Sequence, residues 1–165
     1  MRVPRRAVAP AGPTPIAGRL VLGVAGGVLG AAVLSGCSSA VEVTAPPQAR
    51  SAACAAAADR WPATVSGKGR VDTTADTDAV AAWGDPPVIA RCGLSALGPT
   101  TEQCLDVDGV DWVVRQASDG AVFTTFGRDP AIEVLVPRAY APEPLLLPAF
   151  GPAVTALPSN GRTCD

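Results

Sequence analysis

Five cysteines in a chain with no histidine set the strongest constraint on what this sequence can become. One of them, Cys37, stands directly behind an uncharged run, apart from the rest. Setting it aside leaves Cys54, Cys92, Cys104 and Cys164, an even number. In an oxidising compartment such a set reads as two disulfides, with three connectivities possible. The favoured arrangement is Cys92–Cys104 with Cys54–Cys164. The first would join neighbouring strands across a Gly/Pro loop. The second would fasten the first helix to the C-terminal end, because domain termini often lie close together. Loop-closure entropy assigns at most about 3 kcal/mol to the short bridge and about 4.7 kcal/mol to the long one. No CxxC pair is present, no spacing resembles a zinc site, and no Cys–His couple can be built. The cysteines are therefore read as staples.

Cys37 has a different setting. Arg2, Arg5, Arg6 and Arg19 are the only charged side chains before residue 42. The run from Leu20 to Leu34 carries no charge, and its 15 residues fall short of the ~20 that a membrane-crossing helix needs. A basic start followed by a short apolar run predicts a secretion signal over residues 1–36, with a single permanent span as the alternative. Leu34-Ser35-Gly36-Cys37 resembles the bacterial lipobox. Small residues at 35 and 36 let the chain lie extended in a peptidase cleft. The thiol of Cys37 is then the nucleophile that receives a diacylglyceryl group, and cleavage makes Cys37 the new N-terminus. Two or three acyl chains, at ~0.8 kcal/mol per buried methylene, hold a protein on a bilayer where one chain does not.

The mature chain would run from Cys37 to Asp165. It keeps nine basic and fifteen acidic side chains, a net charge of −6. Such a domain has no polybasic grip on anionic lipid. Residues 37–47 read as a lipidated N-terminus and tether, and the tether over 38–47, at ~3.3 Å per residue, reaches ~30 Å when extended. Residues 48–165 read as a single domain, matching a prior of ~150 residues per domain. The expected location is the cell membrane, lipid-anchored on the extracytoplasmic face.

The alanine-rich stretch from Gln48 to Arg60, entered through Pro46-Pro47, predicts a helix that Pro62 closes. Residues 66–76 read as a loop. Asp76 or Thr77 is placed to cap a short helix that runs to Trp83 and stops at Gly84. From Pro86 onward the pattern becomes that of strands: Val88–Cys92, Gln103–Val107, Val110–Gln116, Val122–Phe126 and Ala131–Val136. Asp108-Gly109 is a strong two-residue hairpin turn, and turns at 118–120 and 127–130 follow. Alternation puts Cys104 and Asp106 on one strand face and Leu105 and Val107 on the other. After Pro137, Pro144, Pro148 and Pro152 work against a continuous helix over 144–157, and one turn beginning at Pro152 is expected. The resulting fold class is α+β. It has a single antiparallel sheet, a meander of four or five strands, with the N-terminal helix and a short C-terminal helical segment on one face.

Several of these segments together are similar to a known family. They are Trp83-Gly84-Asp85-Pro86-Pro87, Arg91-Cys92-Gly93, Val107 to Trp112, Phe123 to Pro130, Val136-Pro137 and Tyr140-Ala141-Pro142. Their combination resembles the actinobacterial family DUF3515, whose members are exported proteins and often lipoproteins. The resemblance covers roughly Val43 to Cys164. It implies a small envelope domain with its cysteines paired, and it implies no activity. The proline-laden 144–152 stretch departs from the continuous helix the resemblance leads one to expect.

Composition narrows function further. Without histidine there is no histidine triad, metal site or proton shuttle. A net charge of −2 and seven aromatic residues leave no electrostatic footprint or stacking platform for nucleic acid. Asp106, Asp108 and Asp111 cluster within one hairpin, but the segment lacks the Glu that an EF-hand loop requires. Glycoside chemistry would need two carboxyls ~5 Å or ~6.5–9.5 Å apart across a cleft. Asp85 is suited to bonding backbone amides in a turn. Trp83 and Trp112 are core candidates or the lining of a groove for sugar or lipid. Arg91 and Arg128 are candidate anion clamps, or partners for Asp85 and Asp111. Lys68, the single lysine, lies between two glycines and is a poor Ser–Lys base.

No catalytic residues and no cofactor are expected. Possible ligand- or partner-binding residues are Trp83, Asp85, Arg91, Asp111, Trp112 and Arg128. The expected role is a non-enzymatic envelope lipoprotein that binds an envelope protein or cell-wall component through its sheet or hairpin loops. The alternatives are a carboxylate-dependent envelope hydrolase using Asp85, Asp106 or Asp111, and a small-ligand carrier for lipid or glycan with Trp83 and Trp112 in its pocket.

Overall fold

A computed structural model describes residues 39–164. The expected secretion signal over residues 1–36 and the expected lipid-attachment residue Cys37 lie outside the described residues. Ser51 opens the first helix, its hydroxyl accepting from the Cys54 amide at 3.2 Å. Helix α1 (Ala52–Ala58) is almost entirely alanine. Small side chains let it press closely on the sheet.

Among the described residues eight strands form one antiparallel sheet. They are β1 (Thr64–Val65), β2 (Lys68–Val71), β3 (Val80–Trp83), β4 (Val88–Leu94), β5 (Gln103–Val107), β6 (Val110–Ala117), β7 (Gly120–Thr125) and β8 (Ala131–Pro137). Their spatial order is β1-β2-β3-β4-β8-β7-β6-β5. Two four-stranded meanders are thus sewn together where β4 meets β8. Two hairpins are closed by residue pairs in the left-handed region. These are Ser66-Gly67 between β1 and β2, and Asp108-Gly109 between β5 and β6. Such turns match the right-handed strand twist.

The α+β class and the single antiparallel sheet agree with expectation, but the sheet is larger. Two strands lie where a loop or helix was expected. Residues 66–76 include β2, whose four residues are all exposed and so show no alternation. Val80 to Trp83, expected to be helical, is β3, with every residue buried. Alanine's helix preference is a weak prior, and four residues are too few for periodicity to decide. Pairing with β2 and β4 on both sides settles the matter. The C-terminal stretch forms 3-10 turns at Arg138–Tyr140 and Glu143–Phe150, then helix α2 (Gly151–Thr155). The prolines that rule out a long α-helix fit this tighter, broken path.

The helices share one face of the sheet. There Trp61, Trp83 and Phe150 meet edge to face, with ring centroids 5.5–6.3 Å apart. Each such contact adds ~0.5–1.5 kcal/mol beyond the buried area. Phe123, Ile132, Val134, Trp112, Leu147 and Val154 complete this core.

Sheet order also corrects the disulfides. The bonds are Cys54–Cys92 and Cys104–Cys164, with Cα–Cα distances of 5.5 and 5.8 Å. Because β4 pairs with β8, three strands stand between β4 and β5. Four strand spacings amount to about 19 Å, far beyond the ~7 Å that a disulfide spans. Cys92 and Cys104 also belong to opposite faces. Cys92 points among the helices and takes Cys54 of α1. Cys104 points to the other face and takes Cys164 from the C-terminal tail.

The expected tether is shorter than its sequence suggests. Val41 donates to the Asp72 carbonyl at 2.8 Å and accepts from the Thr74 amide at 2.9 Å. Further on, Gln48 donates to the Gly93 carbonyl. Gly93 has φ +119° and lies so close to Gln48 and Ala49 that a Cβ would overlap their backbone. Residues 41–49 are therefore laid onto the fold.

Candidate functional site

The face opposite the helices is built from registered rows. One row runs Val80, Arg91, Glu133, Thr124, Val113, Cys104 across β3-β4-β8-β7-β6-β5. The neighbouring row runs Val71, Ala82, Ile89, Leu135, Val122, Arg115. Arg91 and Glu133 are directly opposite on the two central strands, and Nε and Nη2 of Arg91 converge on one carboxylate oxygen at 2.7 and 2.6 Å. Glu133 is buried and Arg91 half-buried. Ile89, Leu135 and Val122 lie half-buried beside them. The result is a charged couple bordered by an aliphatic stripe.

Toward β5 this face is closed by the C-terminal tail. The Asn160 amide donates to the Gly127 carbonyl at 2.9 Å, and the Cys164 amide to Asp111 Oδ2 at 3.0 Å. Arg115, on the same face, bonds Glu102 at 3.2 and 3.3 Å. That hydrogen bond, then the Glu102 charge, raises the already high pKa of its guanidinium, and the Glu133 charge adds last.

The six candidate residues do not form one site. Trp83 and Trp112 are both fully buried in the helix-covered core. Trp83 Nε1 donates to the Pro62 carbonyl at 2.9 Å, whereas Trp112 Nε1 has no partner. Asp85 lies in the β3–β4 turn, on a cavity of about 500 Å³ that Ser39, Ala40, Val71 and Pro87 also line. Asp111 holds the tail. Arg128 Nη1 donates to the Leu157 carbonyl at 3.0 Å. The two arginines are therefore not partnered with Asp85 and Asp111. Asp106 and Asp111 are registered opposite each other, with Asp106 Oδ1 accepting from the Gly109 amide at 3.4 Å. Among the described residues no group of three metal-ligating side chains occurs.

Glu133 is the residue that sequence reading missed. The signal was present: it is the one charge in Ala131–Val136, as Arg91 is the one charge in Val88–Leu94. Lone opposite charges in two buried strands are expected to meet.

A family model described as a protein of unknown function, DUF3515, matches residues 19–160. The chain belongs to the DUF3515 family. The match starts earlier than the motifs quoted above and takes in the apolar run, Cys37 and three of the four paired cysteines of this DUF3515 protein. Comparison with curated proteins and with solved structures gives no match.

Proposed function

We propose that this DUF3515 protein is a lipid-anchored, extracytoplasmic binding protein of the cell envelope, with a protein as its partner. The observation that carries the reading is the helix-free sheet face, where Ile89, Leu135 and Val122 stay half-buried rather than enclosed. The Ile89–Leu135–Val122 stripe beside the Arg91–Glu133 couple combines apolar area with a fixed pair of charges, as interface centres do. A glycan would want exposed aromatic rings, and Trp83 and Trp112 are both enclosed. Membrane anchoring rests on the apolar run and the Leu34-Ser35-Gly36-Cys37 motif.

The test is a photo-crosslinking amino acid at Leu135 in living cells, with the same label at exposed Asp108 as the comparison. Capture of a discrete envelope protein at 135 and not at 108 supports the reading. Capture of lipid alone or of nothing at 135, or turnover of cell-wall glycan or peptide by the purified protein, refutes it. Radiolabelled fatty acid should enter the wild type and not Cys37→Ser. The alternative, a carboxylate hydrolase, would rest on Asp106 and Asp111. It is removed if Asp106→Asn and Asp111→Asn leave any detected activity unchanged.

A further inference from the structure

Where the leader meets the fold decides which end of the domain faces the bilayer. Ser39 follows Cys37 by two residues, a reach of about 7 Å at most. Val41 is pinned to the Asp72–Thr74 segment that follows β2. Residues 39 and 40 line the same cavity as Gly84, Asp85 and Pro87 of the β3–β4 turn. The carbonyl of Pro86 in that turn accepts from the Tyr140 hydroxyl at 2.8 Å. Tyr140 in turn borders a groove of about 330 Å³ with Ser66, Pro142, Leu145, Leu146 and Ala149. No residue lining that groove is charged, although the mature chain carries a net −6. Leu145 stands at its rim with 72% of its surface exposed.

We propose that this groove, with Leu145 and Tyr140, is the surface that rests on the membrane. This rests on the lipid-anchor reading above. A free tether of ten residues would let the domain turn in any direction. With Val41 fixed, at most residues 37–40 separate the anchor from the fold, about 13 Å at full extension, and that stretch joins the fold beside the β3–β4 turn. An acidic domain held that close to anionic headgroups is repelled wherever it presents carboxylates. The groove, which no charged residue lines, approaches without that cost. Leu145 then enters the headgroup boundary, and Tyr140 keeps its apolar ring at the level where aromatic side chains collect.

The experiment uses the full chain, purified from membranes with its anchor and placed in vesicles of brominated phosphatidylcholine. Trp61, Trp83 and Trp112 are buried, so the wild type supplies the background. Leu145→Trp adds an exposed reporter at the groove. Gly98→Trp adds one beside Leu97, whose carbonyl accepts from Arg162 at the other end of the sheet, at a position with open space around it. The expected result is a blue shift and loss of most added emission for Leu145→Trp, with Gly98→Trp unchanged. No quenching at 145, or equal quenching at both positions, overturns the orientation. The mass of the Cys37 peptide from the same preparation separates the two readings. An acylated Cys37 without quenching defeats the orientation alone, and an unmodified Cys37 defeats the anchor and the orientation together.

Discussion

Replacing Cys54 with alanine tests the corrected topology at its centre. The bond to Cys92 closes a separation of 38 residues, which loop-closure entropy values at about 3.9 kcal/mol. That is nearly three powers of ten in the unfolding constant, and a large share of the 5–15 kcal/mol that keeps a domain folded. Both sulfurs are fully buried between α1 and β4, so lost packing adds to the entropic loss. Guanidinium unfolding followed by the fluorescence of the buried tryptophans measures the change, and thiol mapping under native and unfolded conditions identifies what was freed. Cys54→Ala should release one thiol, Cys92, reactive only after unfolding, with Cys104–Cys164 intact. Release of Cys164 instead, or a destabilisation under about 1 kcal/mol, would refute the argument that sheet order dictates the pairing.

Three further outcomes follow from the packing. Arg91→Leu strands the buried Glu133 carboxylate. It should cost about 2 kcal/mol by denaturant titration, between the values for exposed and buried pairs, and Arg91→Leu/Glu133→Leu should recover most of that loss. Trp112→Phe removes an indole N–H that has no partner, whereas Trp83→Phe also breaks a bond to Pro62. The second should therefore be the more destabilising by roughly 2 kcal/mol in the same assay. Gly93→Ala forces a Cβ into Gln48 and Ala49 at a left-handed φ and should lower stability by about 2 kcal/mol or more, while Gly98→Ala should stay within ~0.5 kcal/mol of wild type.

What the sequence discloses here is local. The Asp108-Gly109 hairpin is legible because its turn chemistry and its flanking strands lie within ten residues. The strands from 88 to 136 show up for the same reason. Pairing of β4 with β8 is a contact across about forty residues, and no turn announces it. The disulfide partners depend on that contact, so the choice among three connectivities could not be read from spacing. Strand β3 is concealed by Ala81 and Ala82, whose preference is helical, and β2 by its full exposure. The candidate residues fare similarly. Trp83 and Trp112 were recognisable as core by type. Arg91 and Asp111 carried visible charge, but their partners, Glu133 and the Cys164 amide, lie 42 and 53 residues away.

The disulfides join cysteines in order of appearance, 54 with 92 and then 104 with 164. On the export reading, the chain emerges from a translocation pore N-terminus first. Its first two free thiols can oxidise with each other before the third leaves the pore, and the last two then have only one another. On that reading each bond forms with its native partner in turn, and maturation would call for an oxidant but no isomerase to exchange wrong partners.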